Sequence, residues 1–197
     1  MIRRMIRLAT VDDASAIREI YRPAIEDSVI SFETEVPSVE QMQTRIAGTL
    51  QTHPWLVYED EQGVCGYAYA GPHHPRAAYR WTANVSVYMD SRVHRQGIAR
   101  KLYDVLFEIL RMQNVRQVIA GITIPNPASH AFHQSLGFKQ IGWYPQVGFK
   151  LGQWLDVSWC QLELVKKSDD PPQEFVLFSE VEKKLPADLM HLNSQNE

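Results

Sequence analysis

Cysteine is scarce in this 197-residue chain. Cys65 and Cys160 lie far apart and form no C-x-x-C pair, which argues against a disulfide framework or a zinc knot and for two buried thiols in a reducing compartment. No apolar run reaches the length of a membrane span, and the N-terminal MIRRMIRLAT carries arginines without the apolar core of a signal peptide. A soluble, cytoplasmic protein with no membrane partner is the expectation. An excess of positive charge is also missing: 20 Lys and Arg stand against 23 Asp and Glu, so there is no general basic field to attract nucleic acid. Internal repeats are absent, as are the two commoner phosphate loops, G-x-x-x-x-G-K-[ST] and the three-glycine dinucleotide fingerprint. At 45% hydrophobic the chain is long enough to bury one good core, and a second independent domain would be cramped, so one domain is expected.

What is present begins with VSVYMDSRVHRQGIARKLYDVLFEIL, residues 85–110. Val85, Val87 and Met89 alternate with Ser86 and Tyr88, the period of a half-buried strand, and Ile98, Leu102, Val105, Leu106, Ile109 and Leu110 follow at helical spacing. Between them Arg95-Gln96-Gly97-Ile98-Ala99 turns strand into helix. The helix start leaves four amides without internal partners, its dipole favours negative charge, and Arg95 and Arg100 stand beside it. Relief of a tight turn is the plainer role for Gly97. An anion site is the sharper one.

The rest of the chain reads as a strand at 6–9, a helix capped by Thr10, and a second helix opened by the capping box Ser38-Val39-Glu40-Gln41. A hairpin follows at 55–59 and 64–70 across DEQG, then after the long helix a buried strand at 118–124. A helix from Asn126 or Ser129 to Gly137 and strands at 138–144 and 154–164 complete the order β-α-α-β-β-β-α-β-α-β-β. This is an α/β (α+β) chain: a mixed, mostly antiparallel sheet with about four helices on its two faces. Beyond Lys166, KKSDDPPQ reads as a linker, EFVLFSEV as an added strand, and 191–197 as loose.

Taken in order, HPWLVYE, GYAYAGP, RAAYRWTA, VSVYM, NPAS, FHQSLGF and GFKLGQWLDV resemble motifs of the GNAT acetyltransferase superfamily, and within it of phosphinothricin and methionine sulfoximine N-acetyltransferases. The resemblance covers residues 6–164. It implies a GNAT domain over 1–164, with 165–197 as linker and extension, and acetyl-CoA as co-substrate without a metal. The pantetheine arm is implied along Val87, Tyr88 and Met89, the pyrophosphate on Arg95, Gln96, Gly97, Ile98, Ala99 and Arg100, and a further cofactor contact at Asn126. His94 stands where the superfamily prefers Gln or Arg. Relatives are often dimers, so a homodimer is implied as well.

Acyl transfer to an amine needs a neutral nucleophile. An α-amine with pKa about 8 is only about one-tenth neutral at pH 7, a cost of roughly 1.4 kcal/mol, and a positioned base commonly contributes about 10²–10⁴-fold. The resemblance implies a catalytic residue at Asn84, yet phosphinothricin enzymes carry a glutamate there, and an amide takes up no proton at neutral pH. Asn84 can hold a water that passes the proton to Glu33, Glu35 or solvent; a less basic acceptor or a site without turnover are the other readings. His133, in FHQSLGF, is implied beside the CoA sulfur, whereas a lone helix histidine is otherwise packed against the sheet. His130 and His133 lack a third metal ligand. For the acceptor, a small-molecule amine, SFETE and HHPRAAYRW imply Phe32, Glu33, His74, Arg76, Tyr79, Trp81 and Val85, with Arg76 pairing a carboxylate and the aromatics as a wall. His73 and His74 read as surface or substrate-rim residues, and the aromatics serve equally as loop residues closing the core. Leu155, where phosphinothricin enzymes carry His, inclines toward the methionine sulfoximine group. Three functions stay open: direct N-acetyl transfer in a ternary complex, an acetyl-CoA-binding sensor without turnover, and acetylation of protein or ribosomal N-termini, which requires an open groove.

Overall fold

The computed structural model describes residues 5–166 and 168–186; residues 191–197, read as loose, lie outside them. The elements are β1 (Met5–Leu8), α1 (Ala14–Glu26), α2 (Val39–Thr52), β2 (Trp55–Asp60), β3 (Gly63–Pro72), β4 (Thr82–Met89), α3 (Ile98–Met112), β5 (Gln117–Ile124), α4 (Pro127–Ser135), β6 (Lys139–Lys150), β7 (Gln153–Glu163) and a short α5 (Phe178–Val181). All seven strands form one sheet in the order β1-β2-β3-β4-β5-β7-β6, antiparallel except for β4 beside β5. The mixed, mostly antiparallel sheet and four principal helices are as the sequence pattern requires.

Two cores lie on opposite faces of the sheet. On one, α3 buries Leu102, Tyr103, Leu106 and Leu110 against Ala68, Ala70, Val85 and Val118. On the other, α1 and α2 bury Ile17, Tyr21, Met42 and Ile46 against Trp55, Val57 and Tyr67. Alternation along each strand is what separates the two sets. The capping box forms as written: Ser38 Oγ accepts from the Gln41 N–H at 3.2 Å, and Gln41 Oε1 accepts from the Ser38 N–H at 2.7 Å.

Strand β4 pairs with β3 along its whole length, from Pro72↔Ala83 to Gly66↔Met89. With β5 it shares only Thr82↔Gln117, Ala83↔Val118 and Asn84↔Ile119. Beyond Asn84 the two strands part, and β5 continues with β7 alone to Ile124↔Asp156. The sheet is therefore forked, with Asn84 at the last pair.

Two expectations need correction. The strand placed at 138–144 runs on to Lys150, through Pro145 and Gly148; β6 is the edge of the sheet, where a missing N–H costs no ladder bond. EFVLFSEV forms no strand: it is extended chain that ends in α5. Its anchors are side-chain and main-chain bonds to α3 and α2 instead of a ladder, with the buried Gln113 Nε2 donating to the carbonyls of Thr52 and Val176 at 2.7 and 2.8 Å. Phe178 is fully buried in the α3-side core.

Arg7 on β1 forks onto Asp13, with Nη1 and Nη2 each 2.7 Å from a carboxylate oxygen, and the Thr10 N–H donates to the same carboxylate at 2.8 Å. Burial pulls the Asp13 carboxyl up, but Arg7 and the Thr10 amide together hold it below the ordinary aspartate value of 3.8. A depressed carboxyl stabilises the fold above the unfolded value and loses that contribution as pH falls through the folded one. Asp13→Ala should cost about 2 kcal/mol at neutral pH, because the partly buried guanidinium loses its bidentate partner. In thermal melts the gap between parent and variant should close as the pH falls from the ordinary aspartate value down through the depressed folded one; a gap independent of pH would contradict this.

Candidate functional site

The fork sets out the site. On the β5 side of β4, the main chain of 85–89 has no strand partner among the described residues, so it offers backbone donors and acceptors to an extended ligand. The Met89 carbonyl accepts from His94 Nε2 at 3.2 Å, which gives His94 a task at the end of β4. At the start of α3, Arg95 (φ 61°) and Gly97 (φ 75°) both take the left-handed conformation and swing the chain into the helix. No side-chain cap meets the first helical amides, and Gly97 brings no Cβ that would have to be accommodated there. Arg95 makes no side-chain hydrogen bond or ion pair among the described residues, while Arg100 donates to the Ser135 carbonyl at 2.9 Å and so ties α3 to α4. Gln96 donates to the Arg92 carbonyl at 3.3 Å. Asn126 caps α4, its Oδ1 accepting from the Ser129 N–H at 3.1 Å, and Ile98 is buried while Ala99 is half-buried.

Along β4, Asn84, Ser86 and Tyr88 face the α1–α2 side, where Tyr88 stacks on Tyr67 at 5.4 Å. On that same face lies a cavity of about 190 Å³ lined by Tyr21, Glu33, Met42, Arg45, Thr49, Trp55, Tyr67 and Tyr69. Trp55 and Tyr69 stack at 4.4 Å to form its aromatic wall. Arg45 grips Glu33 through Nη1 and Nη2 at 2.7 and 2.9 Å, and Tyr21 Oη donates to Glu33 at 3.0 Å. Burial pushes the Tyr21 hydroxyl up to about 12, with Ser31 pulling down and Glu33 adding to the rise, so it remains a donor. The loop carrying these groups is clamped from β6: Lys150, 6% exposed, donates to the carbonyls of Ser31 at 2.6 Å and Ala24 at 3.4 Å. Phe32 lies so close to Gly148 that a Cβ there would sit 2.3 Å from its ring.

His133 is 6% exposed. Its Nδ1–H donates to the Ser129 carbonyl at 2.8 Å, and its Nε2 then accepts from Tyr103 Oη at 3.3 Å. Phe132 and Phe138 enclose the ring edge to face. Burial pulls its pKa below the ordinary imidazole value, opposed in part by the Ser129 carbonyl. Both nitrogens are occupied within the protein, as in the packed-histidine reading.

Of the residues expected at the acceptor, Glu33 lines the cavity and Phe32 borders β6. Val85 is 4% exposed in the α3-side core, since it alternates with Asn84; only its main chain is at the fork. Trp81 is drawn away by the C-terminal extension, its Nε1–H donating to the Gln173 carbonyl at 2.7 Å while Arg80 sits 4.7 Å over the ring. Leu155, 2% exposed, pairs with Gly148. Tyr79 packs on His74 at 4.8 Å and on His73 at 5.8 Å. His74 Nδ1 accepts from the Arg76 N–H at 3.2 Å, and the Arg76 side chain is exposed. Unforeseen were Tyr21, Arg45, Trp55, Tyr67 and Tyr69, although GYAYA sets Tyr67 and Tyr69 two apart on one face, the face that Trp55 also shares. His73, read as a surface or substrate-rim residue, has its Nδ1 2.9 Å from Asn84 Oδ1, a pairing that was not foreseen. Among the described residues no three His, Cys, Asp or Glu side chains are grouped to hold a metal, and no helix is long and apolar enough to cross a membrane.

Residues 6–159 match the family model of the acetyltransferase (GNAT) domain. The chain is 36% identical to a phosphinothricin N-acetyltransferase of Streptomyces viridochromogenes over 79% of its own length and 85% of the relative's. It is also 36% identical to an L-methionine sulfoximine/L-methionine sulfone acetyltransferase of Salmonella typhimurium, covering 81% and 94%. A solved phosphinothricin acetyltransferase from Sinorhizobium meliloti in complex with acetyl-CoA superposes with a TM-score of 0.82 at 34% identity, over 89% of this chain and 98% of that one.

Lys150→Met removes the donor from two buried carbonyls. The expected result is a loss of about 1–3 kcal/mol in stability, and, with Phe32 and Glu33 released, an acceptor KM that rises more than kcat falls. Unchanged melting and unchanged KM would refute the clamp.

Proposed function

The chain belongs to the GNAT acetyltransferase family, and from that premise we propose that it transfers the acetyl group of acetyl-CoA directly to the primary amine of a small amino-acid-like compound of the phosphinothricin or methionine sulfoximine type. The forked sheet carries this reading. An open strand edge at 85–89 suits the amides of a pantetheine arm, and the uncapped amides at the start of α3, with Arg95 beside them, suit a pyrophosphate. The acceptor approaches from the α1–α2 face, with its side chain in the Tyr21–Trp55–Tyr69 cavity. Arg76, exposed in the loop between β3 and β4, takes the carboxylate. No cysteine stands at the fork to carry an acyl group, in keeping with transfer inside a ternary complex. For a homodimer, the apolar surface available is the β6–β7 hairpin, which exposes Ile141, Trp143, Phe149, Leu151 and Trp154.

The competing reading as an acetyl-CoA sensor keeps the fork and drops turnover. Peptide N-termini as acceptors require an open groove, whereas Lys150 and Phe32 draw the loop against β6.

Release of CoA thiol from acetyl-CoA should be followed against phosphinothricin, methionine sulfoximine, methionine sulfone, the common amino acids, polyamines and an alanine-initiated peptide, each with a no-acceptor blank. The sulfoximine-type compounds should give the strongest response. If every acceptor equals the blank while acetyl-CoA still raises the melting temperature, the sensor reading replaces this one. Arg95→Ala should leave stability within about 0.5 kcal/mol and weaken acetyl-CoA binding by about three- to tenfold, an effect that salt diminishes.

A further inference from the structure

Asn84 stands at the end of the paired part of β4, where the two halves of the proposed site meet, and it has no basicity of its own. The carboxylate in the cavity, Glu33, is held by Arg45 and Tyr21, and His133 has both ring nitrogens engaged. His73 is different. It follows β3 directly, its main-chain N–H donates to the Thr82 carbonyl at 3.3 Å, and its ring is half-buried beside Asn84. With Asn84 Oδ1 at 2.9 Å from Nδ1, that nitrogen must carry the proton, because the amide oxygen only accepts. A neutral imidazole has one N–H, so the lone pair is placed on Nε2. No side-chain partner for Nε2 occurs among the described residues.

Building on the acetyltransferase reading, we infer that His73 is the general base of this site and that Asn84 positions it by fixing its tautomer. The incoming ammonium gives one proton to His73 Nε2. The freed amine attacks the thioester carbonyl and a C–N bond forms as the carbonyl electrons move to oxygen. Collapse of this adduct breaks the C–S bond, the second amine proton ends on the departing sulfur, and His73 passes its proton to water through its exposed side. The products are the N-acetyl compound, CoA thiol and one released proton. A catalytic carboxylate at position 84 is thereby replaced by an imidazole one step further out, with the amide as its holder.

The experiment uses the full chain and the acceptor giving the greatest thiol release. His73→Ala should lower kcat about 10²–10³-fold with acceptor KM within about threefold. Adding Asn84→Glu to that variant supplies a carboxylate base directly and should recover at least about tenfold of the loss. Asn84→Ala should lower kcat, Asn84→Asp should retain it, and the His73→Ala/Asn84→Ala pair should be no slower than His73→Ala alone, as expected for coupled groups. Nitrogen-15 NMR of His73 should report the Nδ1–H tautomer in the parent and its loss in Asn84→Ala. A His73→Ala variant within about threefold of the parent kcat, or an Nε2–H tautomer in the parent, overturns the assignment while leaving the acetyltransferase reading intact. A parent without acceptor-dependent release at any acceptor overturns both.

Discussion

The brevity of the parallel contact between β4 and β5 governs the rest of the molecule. Parallel neighbours need a crossover, and here it is α3, whose apolar face covers one side of the sheet while its N-terminus arrives beside the end of β4. Because pairing stops at Asn84↔Ile119, the main-chain groups of 85–89 on that side have no ladder and require another partner. The fork thus creates an open strand edge, and α3, whose first amides have no side-chain cap, begins soon after that edge ends. It also makes Asn84 the last residue of β4 paired on both sides, to Gly71 and to Ile119.

That arrangement was legible where the signal is local. The two-residue alternation of 85–89, the helical run that follows and the Ser38 capping box are each written within a few residues, and all formed; of the two starts open for α4, Asn126 is the cap. Signals that depend on distant partners were not legible. Pro145 and Gly148 break a strand only if it is central, and nothing local says that β6 is an edge. Phe178 looks like a strand residue until distant Gln113 is seen to anchor the segment through the Val176 carbonyl. His73 and Asn84 meet because the β3–β4 register sets Gly71 opposite Asn84, and a one-residue slip would turn Asn84 to the α3 side.

Charge alone was a poor guide to chemistry. Glu33 lines the cavity, yet its two oxygens are committed to Arg45 and Tyr21, which makes it part of the wall. His133 is committed to Tyr103 and Ser129. Trp81 lends its indole N–H to the C-terminal extension, so the segment beyond the family match, which ends at residue 159, helps hold the chain entering β4. Each of these groups is fixed by partners on a different element, and each therefore bears on the shape of the site.

Shape also bears on the acceptor. A cavity of about 190 Å³ lies below the roughly 300–1,000 Å³ of sites that enclose drug-sized ligands. Its floor is aromatic, Trp55 and Tyr69, and its ionic groups are already neutralised against one another, so a second fixed charge has no opposing charge to meet there. A short, uncharged polar side chain such as a sulfoximine or sulfone suits it better than a long cation or the anionic phosphinate of phosphinothricin. The carboxylate and the amine of such an acceptor must then lie outside the cavity. Arg76 and His73, to which the carboxylate and the proton are assigned in the proposals above, both lie in the loop between β3 and β4, eight and eleven residues before Asn84. One loop would then orient the acceptor at one end and take its proton at the other.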